Sequence, residues 1–206
     1  MRRTRIAVLV SGGGTNLQAL IDRQSAGMIP SGEIVLVVSN RADAYALERA
    51  ARAGIPARTV SRTDFPDAAE RVAALHRVLA EFEVDMIVLA GYLGIIRRET
   101  VQLYRDRIIN IHPALIPSFS GMGFYGLHVH EAALNRGVKI TGATVHLVTE
   151  DVDGGPILLQ KAVEVLPGDT PEILQRRVME QAEWVILPQA TEMIASRILN
   201  QSAKES

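Results

Sequence analysis

Short, unbroken apolar runs alternate along the chain with longer stretches whose apolar residues recur at helical spacing. Ile6 to Val10, Ile34 to Val38 and Met86 to Ala90 are wholly aliphatic, the pattern of strands buried on both faces. Between them, Asn16 to Ala26, Tyr45 to Ala53 and Asp67 to Phe82 predict helices, the second stopped by Gly54. Ala57 to Val60 predicts a short strand, and Arg107 to His112 another that ends at Pro113. Such strands separated by helices predict a parallel sheet covered on both faces. Residues 1 to about 112 therefore read as a doubly wound α/β unit.

Beyond that point the pattern changes. Pro117 to Gly126 is a Gly/Ser-containing loop and Leu127 to Asn135 predicts a helix. Ile140 to Val148 and Ile157 to Leu166 predict strands joined by the turn-rich Glu150 to Pro156, an antiparallel addition to the sheet. Pro171 to Leu199 predicts a closing helix interrupted near Pro188, and the polar Gln201 to Ser206 a frayed tail. One domain over residues 1–200 follows, with 113–200 completing the unit formed by 1–112.

Composition narrows the classes. A chain of 206 residues with 48% hydrophobic content has ample material for one core. A net charge of -1 leaves no electrostatic footprint for nucleic acid or an anionic membrane, only room for a small anionic ligand held locally. The absence of cysteine excludes disulfides and thiolate metal sites. Behind the basic Met1-Arg2-Arg3-Thr4-Arg5 the apolar run is shorter than a secretory signal requires. No run approaches the ~18 residues of a membrane span. A cytoplasmic protein is expected.

Three places carry candidate chemistry. Ser11-Gly12-Gly13-Gly14-Thr15-Asn16-Leu17 lies between a buried strand and a helix, where backbone N–H groups and the helix N-terminus suit a phosphate. Thr15 or Asn16 is placed to cap that helix and to donate to an anion. Leu17 stands where a dinucleotide loop needs a small residue, and Ser39-Asn40 offers no acid for a ribose diol. That leaves a monophosphate cradle or a plain glycine turn. Asn110 and His112, two apart on a strand, point to the same side at the carboxyl end of the sheet. An amide donor beside an imidazole suits chemistry at a carbonyl, by oxyanion stabilisation and proton exchange; the bland alternative is that both serve loop backbone groups. Asp153, on a Gly-Gly turn, is the natural third member, or else an ordinary turn residue. Beside His112 it would raise the pKa of the ring so that it acts as an acid. Of the remaining histidines, His76 reads as surface-exposed, His128 and His130 diverge on one helix, and His146 shares a strand face with Thr144. No spacing suits a catalytic metal.

Taken in order, four segments resemble the phosphoribosylglycinamide formyltransferase family. They are Ser11 to Gln18, Ser39 to Ala44, Asn110 to Pro117 and Thr144 to Pro156, and the similarity spans about 190 residues. The resemblance implies transfer of a formyl group from 10-formyltetrahydrofolate, without a metal, to the amine of a phosphoribosyl glycinamide in purine synthesis. It implies Asn110, His112 and Asp153 as the catalytic set, with Thr144 where a serine is common. Gly14, Thr15 and Asn16 would bind the ribonucleotide phosphate. Glu183 would meet the ribose, provided one extra residue lies between Arg177 and Glu183. Leu93, Gly94, Ile95 and Ile96, with Asn110 and with Thr149, Glu150, Asp151, Val152 and Asp153, would line the folate pocket.

Ala68 and Gly94 depart from arginines found in some relatives, with Arg71 or Arg97 as candidate substitutes, and the loop Ser118 to Gly126 is longer than in some. The rivals are a formyltetrahydrofolate deformylase, which carries an added N-terminal domain for which a first strand at Arg5 leaves no room, and a non-catalytic nucleotide-binding module. A tRNA formyltransferase would need a basic nucleic-acid-binding region that this chain lacks. The partners expected are small-molecule substrates, and the assembly a monomer or homodimer.

Overall fold

The computed structural model describes residues 2–205. Its seven strands are β1 (Thr4–Val10), β2 (Gly32–Ser39), β3 (Ala57–Thr59), β4 (Met86–Leu89), β5 (Ile108–His112), β6 (Ile140–Leu147) and β7 (Ile157–Glu164). They form one sheet in the order β3-β2-β1-β4-β5-β6-β7. The first five pair in parallel, whereas β6 runs antiparallel to both β5 and β7. This is the doubly wound sheet with an antiparallel addition that the hydrophobic pattern predicts.

Helices α1 (Thr15–Ser25), α2 (Tyr45–Arg52), α3 (Ala68–Glu81), α4 (Arg98–Leu103), α5 (Leu127–Arg136), α6 (Pro171–Val178) and α7 (Trp184–Glu205) complete the chain. The period of two along β1 divides its side chains between two cores. Ile6, Val8 and Val10 pack with residues of α1 and α7, whereas Ala7 and Leu9 pack with those of α3. Both faces are therefore dry, which is why the strands read as continuous apolar runs. No helix among the described residues is long and apolar enough to cross a membrane.

Three details differ from the pattern-based expectations. The hydrophobic pattern does not predict helix α4, because its six residues are too few to show a helical period. Pro188 does not interrupt the last helix: it lies inside α7. The break comes earlier, as a five-residue π turn, Met179–Glu183, between α6 and α7. A wider turn takes in an extra residue without ending the helix. Residues 201–205, expected to fray, continue α7. Gln, Ala, Lys and Glu are good helix formers, so polarity alone does not stop the backbone ladder. Ser206 lies outside the described residues.

The strand order reverses on either side of β1 and β4, and the crevice at their carboxyl ends is where such sheets take ligands. The glycine loop after β1 and the segment after β4 flank it. They are tied together by the Leu93 N–H, which donates to Ser11 Oγ at 2.8 Å.

Candidate active site

β5 delivers Asn110 and His112 to this crevice, and β6 lies alongside with Asn110 opposite His146 and His112 opposite Thr144. Asp153 comes from the turn between β6 and β7, in the left-handed region at φ 54°. The turn approaches β6 so closely that a Cβ on Gly155 would lie 1.8 Å from the Leu147 carbonyl oxygen. Only glycine fits there, and Asp153 is thereby held against the strand ends.

The carboxylate meets three side chains. Asp153 Oδ2 is 3.5 Å from His112 Nδ1, and Oδ1 is 3.5 Å from both Asn110 Nδ2 and His146 Nε2. The Gly121 N–H donates to Oδ2 at 2.9 Å. Asn110, His112 and Asp153, expected to act together, are brought together.

Proton positions follow from the fixed acceptors. His112 Nε2 lies 2.7 Å from the Phe119 carbonyl, which only accepts, so Nε2 carries hydrogen and the neutral ring turns its Nδ1 lone pair toward Asp153. His146 Nδ1 likewise donates to the Leu147 carbonyl at 2.9 Å, which leaves Nε2 to accept from Asn110 Nδ2 at 3.1 Å. His146 thus belongs to the site, an assignment that its strand position alone left open. Thr144 does not reach the reacting groups. Its hydroxyl donates to the Ala114 carbonyl and accepts from the Ile116 N–H, pinning the chain that leaves His112.

The expected rise in the pKa of His112 is reversed. Burial pushes the ring below its ordinary value, outweighing the upward effects of Asp153 and the Phe119 carbonyl, and His146 adds to the lowering. The ring is almost wholly enclosed, and its lost hydration outweighs one carboxylate at 3.5 Å. Burial acts upward on Asp153, yet the Gly121 N–H, and the His146 and His112 rings whenever they carry charge, hold the acid below its usual value.

The long loop at 118–126 was legible only as an insertion. It closes on the site through the Phe119 carbonyl and the Gly121 N–H. His130, just beyond it on α5, is fully buried with no hydrogen-bond partner on either ring nitrogen among the described residues, and burial followed by His112 pushes it to about 4. His128 faces outward to Glu131, so the two diverge as expected. His76 is half-buried rather than exposed, with Nε2 2.9 Å from Thr100 Oγ1.

At the other flank, the expected cap by Thr15 or Asn16 does not form. The N-cap of α1 is Gly14, left-handed at φ 71°, with no side-chain cap. Thr15 instead points its hydroxyl at Met179 Sδ, and Asn16 Nδ2 donates to Glu183 Oε2 at 2.6 Å. Both partners lie on the π turn, whose extra residue turns Glu183 toward α1. Burial pushes the Glu183 carboxyl up to about 7 against the opposing Asn16 bond.

Leu93 and Ile95 are exposed beside this crevice, as are Glu150, Asp151 and Val152 on the turn that carries Asp153; Gly94, Ile96 and Thr149 are half-buried. Gly94 accommodates Tyr92, whose ring would lie 2.6 Å from a Cβ there. Arg71 is committed to the Phe65, Pro66 and Asp67 carbonyls through a single nitrogen, Nη1. Ala68 opens α3.

A buried Asn–His–Asp group beside a glycine loop, on this strand order, has counterparts among known proteins. The Formyl transferase family matches residues 4–191. The chain belongs to the formyl transferase family. Phosphoribosylglycinamide formyltransferase of Haemophilus influenzae is 43% identical over 184 residues, 89% of this chain and 84% of that protein. The human trifunctional purine biosynthetic protein adenosine-3 is 44% identical over 195 residues. That match covers 95% of this chain but 19% of the human protein, so the chain spans about a fifth of that relative's length. The crystal structure of glycinamide ribonucleotide transformylase 1 from Symbiobacterium toebii superposes with a TM-score of 0.87 at 45% identity, covering 94% of this chain and 88% of that one.

Proposed function

We propose that the protein transfers the formyl group of 10-formyltetrahydrofolate to the amine of N1-(5-phospho-D-ribosyl)glycinamide, releasing tetrahydrofolate. The observation that carries this reading is the convergence of Asn110, His112 and Asp153 in the crevice that the glycine loop flanks. The amine lone pair attacks the formyl carbon, and the carbonyl pair moves onto oxygen. The Asn110 N–H that His146 does not hold, whose contact with Asp153 is a long 3.5 Å, turns to that oxygen in this reading, an arrangement worth about 10²-fold in rate. The proton shed by the attacking nitrogen passes to His112 Nδ1, which is free in the neutral ring, and Asp153 stabilises the imidazolium. The ring then returns the proton to the departing folate nitrogen as its bond to carbon breaks.

Gly14, Thr15 and Asn16 hold the phosphate in this reading, and the buried acceptors on Asn16 and Glu183 suit ribose hydroxyls. The apolar Leu93, Ile95 and Val152, with Gly94, Ile96 and Thr149 to Asp153, give a flat heterocycle an apolar rim and polar floor. Purified protein with 10-formyltetrahydrofolate should release tetrahydrofolate only when the glycinamide ribonucleotide is added. Formate release without the amine would make it a deformylase, and no turnover in either case would reduce it to a binding module.

A further inference from the structure

We infer that Arg49, on α2, is a positioning residue that aims the amides of the glycine loop at the substrate phosphate. The inference rests on the proposed reading of that loop and adds to it the part that sets its shape.

Two consecutive carbonyls of the loop are held from the same side. The Ala46 N–H donates to the Gly12 carbonyl at 3.0 Å, and Arg49 Nε donates to the Gly13 carbonyl at 2.8 Å. In a planar trans peptide the C=O and N–H point in opposite directions. Fixing the carbonyls of Gly12 and Gly13 toward α2 therefore turns the N–H groups of Gly13 and Gly14 away from it. Those two, and the N–H groups of Thr15 and Asn16, meet no acceptor among the described residues. Four amides with nothing to bind, two of them oriented from behind, form a nest for an anion.

The guanidinium itself cannot wander. Nη1 donates to Gln18 Oε1 on α1 at 3.1 Å, and the cation lies 5.1 Å from the centre of the Tyr45 ring. Arg49 thus links the loop, the helix behind the loop and its own helix. Gly14 confirms how closely α2 is seated: a Cβ there would lie 2.6 Å from the Ala46 Cβ. Ala46 holds one peptide by backbone alone, whereas the next depends on a side chain. That makes the second peptide sensitive to substitution.

The test compares Arg49→Ala, Arg49→Gln and Arg49→Lys with the wild type, using ribose 5-phosphate as a competitive probe. The glycinamide ribonucleotide and its 5′-dephospho analogue serve as substrates. Loss of one charge-assisted hydrogen bond should weaken ribose 5-phosphate about tenfold in Arg49→Ala. The KM for the ribonucleotide should rise about as much, with kcat and the KM for the formyl donor within about twofold. The dephospho analogue should show the same kcat/KM in Arg49→Ala as in the wild type. Arg49→Gln, which retains an N–H at similar reach, should recover much of the binding and does not depend on the alanine variant folding. Unchanged ribose 5-phosphate binding in Arg49→Ala overturns the inference but leaves the phosphate reading intact. So does a glutamine variant as weak as alanine beside a lysine variant equal to wild type, which would make bulk charge the cause. A wild type indifferent to the phosphate, in probe and substrate alike, overturns both.

Discussion

Asn110 and His146 are cross-strand partners, and the amide of one donates to Nε2 of the other at 3.1 Å. The second nitrogen of His146 is held by the Leu147 carbonyl, so the ring has one tautomer and one orientation. This fixes the Asn110 carboxamide with its N–H side toward Asp153 and the crevice. His146→Leu removes that anchor without touching substrate. A misplacement of about 1 Å costs on the order of 10²-fold, so kcat should fall by about 10- to 100-fold with little change in either KM. His146→Gln, which offers an acceptor of similar reach, should retain more. A leucine variant with wild-type kcat would mean that Asn110 orients itself.

The protonation of His112 is the second point open to measurement. Burial lowers its pKa and Asp153 opposes the lowering, so the ring should titrate below its ordinary 6.5. Asp153→Asn removes the opposing charge and should take it lower still. NMR of ring-labelled protein resolves both values. In the proposed mechanism kcat/KM loses its neutral-ring component as pH falls through the His112 pKa, so that acid limb should move down in pH with the variant. A wild-type ring that titrates above 6.5 would contradict the dominance of burial.

Glu183 links site and stability with a definite sign. Its carboxyl is raised to about 7 in the fold from an ordinary 4.5. The stability it contributes is fully present below pH 4.5 and is lost as pH rises through about 7. A displacement of that size is worth about 3 kcal/mol at most. Glu183→Gln, always neutral, should therefore melt higher than wild type at pH 8 and match it near pH 4, while binding the ribonucleotide less tightly. Equal melting temperatures at pH 8 would remove the buried-charge account.

Gly155 gives a prediction that needs no titration. Alanine there would place its Cβ 1.8 Å from the Leu147 oxygen, so the turn must move away from β6. Overpacking of this kind costs about 1–3 kcal/mol, and the displaced turn carries Asp153 with it. Urea denaturation should show the loss of stability, and activity at saturating substrate should fall with it. An alanine variant with unchanged stability and rate would show that the turn relaxes freely.

Much of the site is legible in the sequence. Asn110 and His112 share a strand face because strands have a period of two, and the Gly-Gly turn signalled a close approach near Asp153. His146 was visible as a candidate only, since its role depends on which strand lies beside β5. The loop at 118–126 could be seen as extra length but not as the source of the Phe119 carbonyl and Gly121 N–H. The sequence offers Arg71 as a substitute for an absent arginine but does not show that Nη1 of its guanidinium is held by three local carbonyls.

By itself the sequence determined what local chemistry encodes: which runs are buried, where the sheet changes direction, which residues stand at strand ends, and where glycine turns occur. Tertiary structure alone decided the sign of the His112 shift, the partners of Asn16 and Asn110, and the π turn that aims Glu183. The physical reason is range. Periodicity and turn preference act within a few residues, whereas desolvation and hydrogen-bond partnership depend on atoms delivered by elements far away in the chain.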